Sequence, residues 1–253
     1  MEKIVKYYKE DLGIDLTDLK HPIAEKIASL PSSSEIDQKI KEHHLRILGL
    51  SLMDIKEYDE SIYKYYLKRI VNNKDISVHG HFFEINQCAH FIRVSQETKL
   101  NFQFGDANND EPDFIINNFG FEITSSRFSD ESNKANPGRK LLAKFREKNG
   151  KPYADKNCVL IIDINQMSYH TLKNGNPVSP TFEEVRETVR NESKFGLVIF
   201  LIEWIEKTEK IHFKGTAYTE YNENCNSDLK TMMEKKFIPK KNTFEGEILV
   251  SPN

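Results

Sequence analysis

A chain of 253 residues that is 38% apolar and 11% aromatic can bury one substantial core, or one core with a small accessory lobe, which excludes wholesale disorder. Charged residues make up 30% and the formal net charge is −3, which excludes attraction of the whole molecule to a polyanion and leaves nucleic-acid binding to a local basic patch. Cys88, Cys158 and Cys225 stand far apart with no CxxC, against a disulfide framework or zinc knuckle; with no signal-like opening and no bilayer-length apolar run, a cytoplasmic protein without a membrane partner is expected.

Residues 1–75 read as a helical N-terminal region, with Ile40, Leu45, Ile47, Leu48 and Leu52 in a stretch almost free of Gly and Pro. Pro31 ends one helix there, and Ser34 or a neighbour caps the next. Residues 76–253 read as an α/β domain. Its first helix carries Phe82, Ile85, Ala89 and Ile92 at helical spacing, with Cys88 as a small buried apolar residue. The periodicity then changes. LNFQFGD, EPDFII and GFEIT read as strands, GRKLLAKFREK as a helix, NCVLIIDIN as a buried strand, TFEEVRETVRNES as a helix and FGLVIFLIEW as another buried strand. IHFKGTAYTEY is expected to add an edge strand. This order implies the α/β class, a mixed central β-sheet flanked by helices.

Within EPDFIINNFGFEIT, residues 111–124, Asn117 and Asn118 suit the two central positions of a tight hairpin turn, because Asn tolerates the left-handed conformation. Phe114 then faces Phe121 and Ile116 faces Phe119, with Ile123 on the same apolar side. The other side carries Asp113, Ile115, Gly120, Glu122 and Thr124. There Asp113 lies opposite Glu122, and two carboxylates so close are tolerable with a divalent cation between them or a proton on one.

This pattern resembles the PD-(D/E)XK nuclease superfamily, whose restriction endonuclease-like fold runs from a Glu-bearing helix through a hairpin with Pro-Asp and Glu-x-Lys to a further helix and strand. Glu84 in HFFEINQCAHF, Pro112-Asp113, Glu122-Ile123-Thr124, GRKLLAKFREK and NCVLIIDIN stand in that order. The resemblance implies that Asp113 and Glu122 are catalytic and bind Mg²⁺ or Mn²⁺, with Glu84 and the Ile123 carbonyl completing the shell, and that the substrate is DNA in preference to RNA. It also implies hydrolysis of phosphodiester bonds, the metal drawing down the pKa of a bound water.

Thr124 departs from the pattern, standing where the family places a Lys that stabilises charge on the phosphate. Lys140 and Lys144, four apart on one helical face, are the expected substitutes, with Arg127 also near. Between Lys134 and Lys156 eight basic residues oppose Glu147 and Asp155, so Arg127, Lys134, Arg139 and Lys148 are expected to grip nucleic acid. Lys230, Lys235, Lys236, Lys240 and Lys241 form a second basic run. The alternative expectation is a catalytically inactive module of the same fold that binds nucleic acid or a protein partner. Either version leaves the N-terminal helices to position substrate or to form a homodimer.

Overall fold

A computed structural model describes residues 2–71, 78–106, 110–126, 137–165, 180–207, 211–238 and 243–248, and the chain divides into two compact units, Met1–Gln96 and Glu97–Asn253. The boundary expected at residue 75 falls outside the described residues.

In the first unit the helices are α1 (Glu2–Lys6), continued by a π-helical turn (Tyr7–Asp11), α2 (Pro22–Ala28), α3 (Glu35–Tyr58), α4 (Glu60–Val71) and α5 (Val78–Thr98). Pro31 sits in a 3-10 turn, Leu30–Ser32, and Ser34 caps α3 by accepting the Asp37 N–H at 3.2 Å. The cap satisfies one of the amides that a helix start leaves without an intrahelical partner. Leu45, Leu48, Leu52 and Ile55 of α3, Tyr66 and Ile70 of α4, and Ile85, Cys88, Ala89 and Ile92 of α5 are all buried. His21 is also buried: Nδ1 accepts the Ile23 N–H at 3.1 Å, which leaves Nε2 to donate to the Ile70 carbonyl at 2.7 Å.

The second unit is built on a seven-stranded mixed sheet in sequence order: β1 (Phe102–Phe104), β2 (Phe114–Ile116), β3 (Phe119–Ser125), β4 (Cys158–Asp163), β5 (Leu197–Lys207), β6 (Ile211–Tyr221) and β7 (Thr243–Ile248). Strands β3, β4 and β5 are parallel, and the outer pairs are antiparallel. The two parallel steps are crossed by α6 (Pro137–Asn149) and α7 (Phe182–Glu192), and α8 (Ser227–Met232) follows β6. The α/β class is therefore as the element order implies. One expectation changes: IHFKGTAYTEY is not an edge strand, because β7 pairs along its outer side.

Strand β4 is buried along its whole length, and so reads as an unbroken apolar run rather than an alternating one. One face packs on α6 and α7 through Leu141, Phe145, Val185 and Val189, which meet Leu160, Ile162, Val198 and Phe200. On the other face the Phe121 ring lies 6.0 Å from that of Phe237. A row of facing residues, Glu122, Leu160, Val198 and Glu220, crosses β3 to β6. Two acids thus bracket two aliphatics. Glu220 is buried against Arg186 and Arg190 of α7, both of which also reach Glu183.

Gly120 opens the face on which Glu122 lies. A Cβ there would stand 2.6 Å from Cys158 Sγ and 2.8 Å from Pro112 Cγ, so the missing side chain lets Pro112 lie on β3. Gly120→Ala is expected to cost about 1–3 kcal/mol by overpacking, read as a lower urea midpoint with an unchanged slope.

A carboxylate pair on the β2–β3 hairpin

Asn117 and Asn118 have φ of 50° and 67°, the consecutive left-handed pair that a type I′ turn requires. The turn is pinned to the start of β1, since Asn117 donates its N–H to the Asn101 carbonyl at 2.9 Å and accepts the Asn101 N–H at 2.8 Å. The register follows: Phe114 faces Phe121, Ile115 faces Gly120 and Ile116 faces Phe119. Phe114, Ile116 and Phe121 are fully buried, as the apolar side of the hairpin should be.

Asp113 stands one residue before β2, where the same register continues toward Glu122. Its backbone is fixed by the Gly105 N–H, which donates to the Asp113 carbonyl at 3.0 Å. Its side chain accepts the Ile123 N–H at 2.7 Å. Ile123 itself belongs to the β3–β4 ladder, opposite Ile161. Glu122 is only 3% exposed and takes Lys148 Nζ of α6 at 2.5 Å. Burying a carboxylate is costly unless a partner compensates it, and Lys148 is that partner.

Both acids act on the same two groups. Burial pulls the Lys148 pKa down, but the Glu122 charge, its hydrogen bond and then the Asp113 and Glu147 charges outweigh this and raise it above the usual 10.5. The Tyr153 phenol is pushed up by burial first, then by the Glu122 charge, a hydrogen bond to Glu122 and the Asp113 charge. Asp113, Glu122, Lys148 and Tyr153 are therefore one electrostatic cluster, with a cationic lysine and a neutral phenol at neutral pH.

The other expected site residues are distributed differently. Lys144 pairs with Glu147 at 2.5 Å. Lys140 is half-buried two helical turns from Lys148, about 12 Å along the axis. Arg139 is exposed, and Arg127 and Lys134 lie outside the described residues. Glu84 finds partners in the first unit, accepting from the Tyr66 hydroxyl at 3.1 Å and facing His81 Nδ1 at 3.5 Å. Thr124 is half-buried in β3 opposite Ile162. Asp163, at the far end of β4, accepts from Ser125 Oγ and the Asn165 N–H, both at 2.9 Å.

Tyr153 was not foreseen, and Lys148 was expected only as a nucleic-acid contact. The signal for Lys148 was present, since it is the next i+4 step after Lys140 and Lys144. Tyr153 sits in the loop between α6 and β4, where no periodicity points at it. Lys235 and Lys236 of the second basic run line a separate groove of about 300 Å³ with Phe119, Asn117 and Met232.

Among the described residues no three His, Cys, Asp or Glu side chains gather as a metal cluster. The hairpin donors are nevertheless of the kind that Mg²⁺ or Mn²⁺ takes: hard oxygens, with one or two carboxylates sufficing when water and substrate phosphate supply the rest. No helix among the described residues is long and apolar enough to cross a membrane. Comparison with known protein families, with curated proteins and with solved structures found no match.

Lys148→Met is expected to cost about 3 kcal/mol at neutral pH by leaving Glu122 buried without its cation, and adding Glu122→Leu should recover most of the loss. The sign with pH follows from the raised Lys148 pKa. Its contribution is fully present below the ordinary value of 10.5 and is lost as pH climbs through the folded value. The gap in unfolding free energy between wild type and Lys148→Met, measured by denaturant titration, should be flat from neutral pH up to about 10.5 and narrow above it.

Proposed function

We propose that the chain is a divalent-metal-dependent nuclease that hydrolyses phosphodiester bonds, in DNA in preference to RNA. The observation that carries this reading is that the two arms of one hairpin bring Asp113, anchored on the Ile123 amide, beside Glu122, which takes a lysine of the following helix that also feels the Asp113 charge. Asp113, Glu122 and the Ile123 carbonyl would hold Mg²⁺ or Mn²⁺, which supplies a Lewis acid for the phosphate and a water of lowered pKa. Lys148 would stand in for the lysine that Thr124 replaces. Because its pKa is raised, it stays protonated at neutral pH and serves as a charge donor to the phosphate oxygens, not as a general base. Tyr153, held neutral, orients Glu122 by donating its phenolic proton. The basic residues of α6, Arg139 and Lys140 among them, supply local attraction that the net charge of −3 denies to the whole molecule. A reducing cytoplasm suits the free thiols of Cys88, Cys158 and Cys225.

A second reading, a catalytically silent module that binds nucleic acid or a protein, is favoured by one observation. Glu122 is already compensated by Lys148, as Glu220 is by Arg186 and Arg190 at the other end of the same row. Both pairs then serve to pin helices to the sheet.

Incubation of the protein with plasmid DNA, single-stranded DNA and RNA, in Mn²⁺ or in EDTA, separates the two. The nuclease reading expects cleavage that EDTA stops, that Asp113→Ala and Glu122→Ala abolish without loss of DNA binding, and that Lys148→Ala slows about 10²–10³-fold. Cleavage persisting in EDTA or in Glu122→Ala would sink it, and binding without cleavage by the wild type selects the module.

A further inference from the structure

The face of the sheet turned away from α6 carries a groove that neither reading uses. Phe119 pairs with Ile116 and shares the side of β3 on which Phe121 meets Phe237, so it lies on the opposite face from Glu122. Beside it α8 runs on into a π-helical turn, Met233–Phe237. Between these elements, at the hairpin tip, lies a space of about 300 Å³. Its apolar lining is Leu100, Phe119 and Met232, and Leu100 and Phe119 are only half-buried. Lys235 and Lys236 stand at the same groove with Asp228, two cations against one acid. Both lysines are exposed, and neither forms an ion pair among the described residues. Lys230 of the same run is occupied elsewhere, its ammonium lying 5.0 Å from the centre of the Tyr221 ring.

We infer that the groove holds one unstacked base of a single-stranded nucleic acid, its ring on Phe119 and the flanking phosphates on Lys235 and Lys236. Charge and shape together select this occupant. An anion without a ring would leave the apolar lining in water, and an uncharged apolar ligand would leave the two lysines unanswered. A nucleotide answers both, because every base has a flat π-face that stacks on an aromatic ring and every phosphate pairs with lysine. Asp228 is then the acceptor for an exocyclic base amine, as acids are for cytosine N4. The strand is single because a base inside a duplex is stacked on its neighbours and presents only its edges. At about 300 Å³ the groove stands at the lower end of the range for ligand sites, room for one nucleotide and not for a base pair. The inference does not rest on the carboxylate chemistry, which belongs to the other face of the hairpin.

Fluorescence anisotropy of the full chain with a labelled oligonucleotide of about 12 residues, single-stranded or annealed to its complement, tests this in EDTA, so that nothing is cut. The single strand should bind about 10-fold more tightly than the duplex. Phe119→Leu, which keeps an apolar filler and removes the ring, should weaken that binding about 10-fold, and Phe119→Tyr should restore it. Lys235→Gln with Lys236→Gln should lower the slope of log affinity against log salt by about 1.4, two phosphates at about 0.7 each. The two lysines are exposed, so their variant tests the inference even where Phe119→Leu lowers the urea midpoint. Absence of single-strand binding, equal affinity for the duplex, wild-type affinity in Phe119→Leu or an unchanged salt slope in the lysine variant overturns the inference. With no metal present these outcomes are separate from those of cleavage: a chain that cuts DNA but fails here loses this inference alone.

Discussion

Two successive residues with positive φ, Asn117 and Asn118, set the parity of everything that follows them in the hairpin. Side chains alternate along a strand, so a slip of one residue would turn Phe121 toward α6 and send Glu122 to the opposite face. With the turn where it is, Phe114, Ile116 and Phe121 bury together, and Glu122 is committed to the layer under α6 and α7. That commitment places a charged residue where solvent is excluded. The lysine of α6, the Asp113 anchor on the Ile123 amide and the close seating of Pro112 on Gly120 are the local answers to it.

The sheet handles its two buried glutamates alike in one respect and differently in another. Glu122 and Glu220 occupy the ends of a single row across β3 to β6, and each meets cations from the helix above it. Around Glu220 there are two arginines and a further glutamate, so the acid and its counter-charges form a closed set typical of a scaffold. Around Glu122 there are one lysine, a second acid within electrostatic reach and a phenol. A lysine is a compact charge on a flexible stem, able to change partner at less geometric cost than a guanidinium held in a fork. The hairpin end of the row is therefore held by a single compact cation on a flexible stem, and the Glu220 end by two guanidinium forks that hold helix α7 in place.

The choice of lysine also follows from chain direction. In a strand–helix–strand crossover the helix runs back along the sheet, so the last turn of α6 returns toward the starts of β3 and β4. Lys148, in that last turn, meets Glu122, and Lys140, near the first turn, does not. Periodicity along α6 makes Lys140, Lys144 and Lys148 equivalent, because they share one face; only the antiparallel return of the helix distinguishes them.

What residue types and spacing determined by themselves was local. They settled the α/β class, the order of the strands from β1 to β6 with the helices α6 and α7 between them, a cap at or beside Ser34, the hairpin turn and the facing of Phe114 with Phe121, because each depends on backbone preferences and on burial patterns within a few residues; α8 and β7 were not foreseen. The edge assigned to β6 failed because pairing with β7 is a contact between segments separated by a loop, and such a contact leaves no trace in the alternation of β6 itself. The same limit governs the site. Asp113 and Glu122 are neighbours through a two-residue turn and could be paired from the chain alone, whereas Lys148 and Tyr153 reach Glu122 across a helix and its following loop, where distance in space is decided by packing and not by spacing.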